Sequence, residues 1–209
     1  MTIAQKLTTA AENMPKVFDA GKSWVFAHMS RPNGLFYKTA FPAGSSLNIS
    51  LTSTNGTLTE MFRLTTGLER LEITVPDFPC KVNYFLYSSA IRVLRLNGDL
   101  RASDFTNFAA RCSALEEIHG TIDLTDSTDN ENCFGSCPLL REVRFAPGSI
   151  HKSVCFKQSA LLSADSVASI VAGLATVEET QNLELHNTVE ATLTPTQRAQ
   201  ITAKNWQLL

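Results

Sequence analysis

Apolar residues recur along this chain in a short phrase set at a nearly constant interval. The phrase reads Leu68-x-x-Leu71-x-Ile73, Ile91-x-x-Leu94-x-Leu96, Leu115-x-x-Ile118-x-Gly120 and Leu140-x-x-Val143-x-Phe145. Its central positions, 71, 94, 118 and 143, are 23, 24 and 25 residues apart. Apolar and polar residues alternate within each phrase, which predicts a short strand. So regular an interval predicts stacked units, each a strand with a helical or irregular return. The returns carry apolar groups of their own: Met61-Phe62, Tyr84-Phe85-Leu86, Phe105-x-x-Phe108 and Cys133-Phe134. One unit alone would leave both faces of its core open, so neighbours must cover them. Leu47-Asn-Ile49-Ser-Leu51 predicts a first strand, with Ile49 standing 22 residues before Leu71.

The pattern changes at both ends. Ile3, Leu7, Ala10, Met14 and Val17 alternate steps of four and three, the spacing of a coiled-coil seam, until Pro15 interrupts it. Two roles are open to this helix: packing on its own domain, or oligomerising and docking. Six of the 17 aromatics lie between Phe18 and Phe41: Phe18, Trp24, Phe26, Phe36, Tyr37 and Phe41. Arg31-Pro32-Asn33-Gly34 is a turn signal between two clusters of them, so a hairpin is expected there, capping the stack or forming a docking surface. Beyond Phe145 the period fails, and the next clear strand, Leu183-Glu-Leu185, begins 40 residues after Val143. The gap holds an extended piece at Ser153–Phe156 and a helix with Ser163 as N-cap and Val167, Ile170, Val171 and Leu174 as its apolar stripe. Thr194-Pro195-Thr196-Gln197 combines a capping box with proline at the first helical position, and so opens a second helix.

Composition narrows the function classes. A net charge of -2 leaves no electrostatic footprint for nucleic acid or an anionic membrane. No apolar run approaches the roughly 20 residues of a membrane span. The opening residues lack the apolar region of a secretory signal, so export by that route is not expected. Five cysteines, Cys80, Cys112, Cys133, Cys137 and Cys155, are an odd number for a disulfide framework. Cys112 and Cys137 stand three residues before a repeat leucine, a slot Ser88 fills before Ile91, while Cys133 replaces the aromatic Phe108 one period on. These thiols are expected to be buried. Neither the cysteines nor the four scattered histidines have metal-ligand spacing, and no nucleophile elbow or phosphate loop occurs. The acidic loop Asp123, Asp126, Asp129 and Glu131 lacks the glycine and ordered spacing of a calcium loop. No enzyme activity, cofactor or metal is expected.

Period-two alternation also identifies an outward face. Glu72, Arg95, His119 and Arg144 form one expected row across the sheet, a candidate binding surface. Its alternative role is a solvated face whose charges pair across strands.

The run Phe105-x-x-Phe108-x-x-x-Cys112-x-x-Leu115-x-x-Ile118 is similar to the bacterial leucine-rich repeats of surface proteins from gut and oral bacteria, a type also found in phage and prophage genes. The opening, Ile3-Ala-Gln-Lys-Leu7 with Ala11 through Gly21, and the ending, Leu193 through Trp206, resemble those of short phage-encoded members. The asparagine or cysteine ladder after the strand is absent; Pro76, Asp99, Asp123 and Gly148 stand there instead. The expected fold is therefore α/β, an irregular leucine-rich repeat solenoid with short parallel strands, divided into residues 1–46 (helix and aromatic segment), 47–160 (repeats) and 161–209 (helical cap). The resemblance implies a non-enzymatic phage or prophage structural protein, a tail, baseplate or capsid-surface component residing in the virion and displaying an adhesive surface. The alternative is a bacterial surface or host-interaction protein without a virion role. Ile3, Leu7, Met14, Trp24 and Phe26 are the expected attachment residues toward other virion proteins or a second copy. The strand row is expected to meet a glycan or a cell-surface protein.

Overall fold

A computed structural model describes residues 25–26, 33–50 and 56–209. The fold is mixed α/β with parallel strands. In chain order the elements are β1 (Val25–Phe26), β2 (Ala40–Ser50), β3 (Thr66–Thr74), β4 (Cys80–Lys81), β5 (Val93–Asp104), β6 (Glu117–Asp123), β7 (Val154–Phe156), α1 (Ala164–Gly173), β8 (Gln181–Leu185), α2 (Asn187–Glu190), α3 (Pro195–Ala203) and β9 (Trp206–Leu208). Strands β1, β2, β3, β5 and β6 pair side by side, all parallel, and β4 pairs with the far end of β5. A second parallel sheet runs β7-β8-β9.

Leu71, Leu94 and Ile118 are direct partners across three strands, as their spacing predicts. At β2 the register differs from expectation: Leu47 faces Leu71, and Ile49 faces Ile73. Both alignments bury the same face, so the apolar alternation alone could not choose between them. The described residues of the aromatic segment do not form the expected hairpin either. β1 lies parallel to β2, and Gly34–Lys38 is a return turn of the same kind as those that follow.

Those returns are chains of tight turns rather than helices. Left-handed residues come in pairs four apart: Gly34 and Lys38, Glu60 and Leu64, Tyr84 and Ser88, Asn107 and Arg111, Asn132 and Ser136. Alternate N–H groups close a turn on their own return or donate to the next one. Phe62 N donates to Phe85 O at 2.9 Å, Leu86 N to Phe108 O at 2.8 Å and Ala109 N to Cys133 O at 2.9 Å. These bonds place Cys133 in the backbone slot of Phe108, as the spacing predicts, and Phe134 in the slot of Ala109. Each return thus sets at least one large side chain across its two adjacent slots, so the ring moves between slots without opening a void. The rings pack in a row from return to return and on to β7, stacked or edge to face, with centroids 5.1 Å apart for Phe36–Phe62, 5.4 Å for Phe62–Phe85, 5.6 Å for Phe85–Phe108, 6.1 Å for Phe108–Phe134 and 5.0 Å for Phe134–Phe156. Such pairs contribute about 0.5–1.5 kcal/mol each beyond burial.

The failing period after Phe145 has a structural cause. A strand expected at 143–145 is reduced to isolated bridges, Glu117 with Glu142 and Ile122 with Phe145. Helix α1 lies where the next strand would be. Its serines replace the missing ladder: Val143 N donates to Ser166 Oγ at 3.0 Å, and Phe145 N donates to Ser169 Oγ at 2.9 Å. Ser166 Oγ in turn donates to Arg141 O at 3.0 Å. A helix thereby closes a sheet edge that would otherwise expose unpaired backbone groups. The helix is capped by Ser163, whose side chain accepts from Ser166 N, and it buries Val167, Ile170, Val171 and Leu174 as its stripe predicts. The Thr194–Gln197 capping box at α3 also forms, with both bonds present.

The expected segment boundaries do not follow structural breaks. Position 46/47 falls inside β2, and a cut at 160/161 parts β7 from its partner β8. One hydrophobic cluster runs from Phe36 to Trp206. Among the described residues, no helix is long and apolar enough to cross a membrane.

Candidate functional site

The outward face of β2, β3, β5 and β6 carries the expected row. Glu72 pairs in register with Arg95, and Arg95 with His119. Arg144 is displaced from this line. From the Glu117–Glu142 bridge to the Ile122–Phe145 bridge, β6 uses five residue steps against three on the neighbouring segment, so residues 119–121 bulge outward. Gly120 sits in the bulge at φ +98, where an added Cβ would stand 2.7 Å from Leu96 Cβ and Leu96 O. That close approach accounts for glycine where the repeat calls for leucine.

The bulge opens a cleft of about 380 Å³ between β6, the 142–144 segment and the start of α1, lined by His119, Thr121, Glu142, Arg144, Ser163 and Asp165. A second, smaller cleft of about 160 Å³ lies across β2, β3 and β5, lined by Ser46, Asn48, Arg70, Glu72, Val93 and Arg95.

Beside the row runs a charge ladder that the period-two reading omitted. Glu69, Arg92, Glu116 and Arg141 alternate in sign at successive repeats, close to the start of each strand. Arg92 reaches Glu116 at 2.6 Å and Glu69 at 3.7 Å, and Arg141 reaches Glu116 at 2.8 Å and also bonds Glu117. His119 Nε2 lies 2.7 Å from Glu117 Oε2. The hydrogen bond from Arg92 holds the Glu116 carboxyl below its usual range. Burial pulls Glu117 upward, but hydrogen bonds from Arg141 and His119 outweigh it and leave its carboxyl low as well. The signal was present in the sequence, as the same 23, 24 and 25 spacing read at one outward position.

The arginines on the row and beside it behave differently. Among the described residues, Arg70, Arg95 and Arg144 form no ion pair or side-chain hydrogen bond. Glu72, the register neighbour of Arg95, accepts instead from Asn97 Nδ2 at 2.8 Å. The face therefore presents unneutralised guanidinium groups next to a ladder whose charges are spent on one another.

A second polar array lies on the returns and carries all three tyrosines. The Arg63 guanidinium sits 5.7 Å from the Tyr37 ring centre, 5.1 Å from Tyr84 and 5.2 Å from Tyr87, and Arg111 sits 5.7 Å from Tyr87. This array satisfies its own cations, at roughly 0.5–1 kcal/mol for an exposed pair.

The remaining candidates disperse. Ile3, Leu7, Met14 and Trp24 lie outside the described residues, and Phe26 is placed only as the backbone partner of Ile49. His186 caps α2, its Nδ1 accepting from Thr188 N at 3.2 Å. The acidic loop is committed to its own structure: Asp123 accepts from Thr125 N, Asp126 meets Arg101 at 2.9 Å, and Asp129 accepts from Glu131 N. Among the described residues no cluster of histidine, cysteine, aspartate or glutamate could hold a metal ion. No protein-family model, curated protein or solved structure matches this chain.

Proposed function

We propose that this protein is a non-enzymatic binding module, an irregular leucine-rich repeat solenoid that displays the outward face of its parallel strands to an external ligand. The observation that carries the reading is the pairing of two rows on that face. One row, Glu69, Arg92, Glu116 and Arg141, neutralises itself; the other keeps Arg95 and Arg144 unpaired beside two clefts. A purely solvated face would gain from pairing these charges across strands, at roughly 0.2–1 kcal/mol for each pair. Repeat stacks commonly use such an extended surface for binding. The proposed setting is a phage or prophage particle, with the solenoid as an adhesive tail, baseplate or capsid-surface component. It is supported by the resemblance of residues 3–21 and 193–206 to short phage-encoded proteins. The N-terminal residues Ile3, Leu7, Met14, Trp24 and Phe26 are then the attachment to other virion proteins or a second copy, and the ligand is a glycan or cell-surface protein.

The test is retention of fluorescently labelled protein on a panel of intact gut bacteria. Asn97→Trp and Thr121→Trp crowd the face from exposed or half-exposed positions without removing a charge. Both should abolish retention while circular dichroism and the melting temperature stay near wild type. Undiminished retention by both folded variants would sink the strand-face reading.

A further inference from the structure

The strand face keeps three guanidinium groups, Arg70, Arg95 and Arg144, outside any ion pair among the described residues, and this narrows the ligand. Arg70 pairs in register with Val93, which lies two residues before Arg95 on β5. Arg70 and Arg95 are thus diagonal neighbours, about 7–8 Å apart at the backbone, and both line the 160 Å³ cleft. Arg144 lines the larger cleft two repeats further on. No carboxylate pairs with them, although Glu72 lines the cleft of Arg70 and Arg95, and Glu142 and Asp165 line that of Arg144. Glu69 turns to Arg92, Glu72 accepts from Asn97, and Glu116 and Glu117 are held by Arg92 and Arg141.

Arg70 and Arg95, two guanidinium groups against the single carboxylate of Glu72 in this cleft, are forks of donors suited to planar oxyanions. Around these forks stand hydroxyl, amide and carboxylate groups: Ser46 and Asn48 beside Arg70, and Glu72 beside Arg95, with Asn97 bonded to it. Asn97 donates to Glu72 through its amide nitrogen, so its carbonyl oxygen is left to accept from a ligand hydroxyl. Among the described residues the outward strand positions hold no phenylalanine, tyrosine or tryptophan, so the face offers no broad platform for stacking bases. Among the described residues Val93 is the one apolar side chain at its outward middle, and they form there no buried aromatic or aliphatic pocket of the kind that anchors a protein partner. Resting on the strand-face reading, we propose that the ligand is an acidic glycan, a uronate-type polymer. Its carboxylates meet Arg70 and Arg95, its hydroxyl groups meet Ser46, Asn48, Asn97 and Glu72, and Arg144 extends the track.

The experiment is calorimetric titration of the full chain with three probes: a galacturonate oligosaccharide, a galactose oligosaccharide of the same length, and a poly-glutamate peptide. The galacturonate oligosaccharide should bind, with affinity that falls as salt rises, because released counterions carry part of the free energy. The galactose oligosaccharide should bind at least tenfold more weakly. Arg70→Gln combined with Arg95→Gln should weaken galacturonate binding at least tenfold, and Arg144→Gln less. Lys157→Gln, which removes a charge from the other sheet, should leave it unchanged. Failure to bind galacturonate, equal binding of the neutral sugar, or tighter binding of poly-glutamate through the same arginines overturns the proposal. If Asn97→Trp loses cell retention while the double arginine variant keeps it, the face still binds but its ligand is not acidic. If Asn97→Trp and Thr121→Trp both keep retention, the underlying face reading fails as well.

Discussion

At the scale of single residues, the cysteines show how the repeats are tied together. Cys112 Sγ donates to Leu86 O at 2.9 Å, and Cys137 Sγ donates to Ala109 O at 3.0 Å, each reaching back to the preceding return. Ser159 continues the series by donating to Cys137 O at 3.1 Å. The same slot is held by Thr65 and Ser89, because each of these residues follows the second left-handed residue of its return. Ser88, placed there by counting back from Ile91, is itself the left-handed residue; the link to Ile91 is one residue shorter than its counterparts. Burial pushes the Cys112 thiol up to about 11 and the Cys133 thiol up to about 12, and raises Cys137 further still. In the unfolded chain a thiol ionises near ~8.5. Above that pH the unfolded state sheds protons that the folded state keeps, so stability falls with rising pH until the folded values are reached. The melting temperature should therefore hold up to about pH 8 and decline from about pH 9. The informative comparison is with Cys112→Ser combined with Cys137→Ser, whose hydroxyls do not ionise. That variant should lose less stability between pH 8 and 11; a decline parallel to wild type would show that these thiols do not contribute.

At the scale of elements, the strands were legible and the returns were not. Alternating Leu and Ile at a 23–25-residue interval reports parallel strands directly, since each side chain faces inward at every second position. The returns set a left-handed residue at every fourth position, which gives neither the helical nor the strand period. Apart from Gly34, Asn107 and Asn132, their left-handed positions are filled by Lys38, Glu60, Leu64, Tyr84, Ser88, Arg111 and Ser136, so the usual turn signal is mostly missing. The return-to-return hydrogen bonds impose this conformation, and it carries a cost. A left-handed L-residue is disfavoured by about 1–2 kcal/mol, while glycine loses roughly 0.5–1 kcal/mol through its greater unfolded-state freedom. Ser88, at φ 54, has no side-chain bond that glycine would remove among the described residues. Ser88→Gly should therefore stabilise by about 0.5–1 kcal/mol, seen as a higher urea midpoint with an unchanged slope. Ser88→Val should lower the midpoint. A loss of stability in Ser88→Gly would mean that this return is not held left-handed in solution. The candidate site was legible in the same uneven way. The row Glu72, Arg95 and His119 follows from alternation, but the displacement of Arg144 depends on the Gly120 bulge, and neutralisation of the neighbouring ladder depends on side-chain reach that spacing does not encode.

At the scale of the molecule, the succession of layers determines how far a local change spreads. Each strand pairs with the strands one repeat before and after it, and each return bonds to the next, so cohesion passes from neighbour to neighbour. The C-terminal elements close this series. Trp206, 4% exposed, donates from Nε1 to Ala175 O at 2.8 Å, and β9 pairs with β8 through Gln181, Asn182 and Leu183. Ile201 of α3 is 1% exposed, and Lys204 Nζ donates to Leu174 O at 2.6 Å, capping the end of α1. Removing residues 194–209 therefore uncovers β8 and the end of α1 first. α1 in turn covers the sheet edge at Val143 and Phe145 through Ser166 and Ser169. The strands β3, β5 and β6 lie further back, protected by one another. In the truncated chain, amide exchange should accelerate strongly over residues 150–185 and remain slow over residues 66–123, since local opening can be much cheaper than global unfolding. Equal acceleration over both stretches would identify the chain as one cooperative unit, and the nearest-neighbour account of its stability would then be wrong.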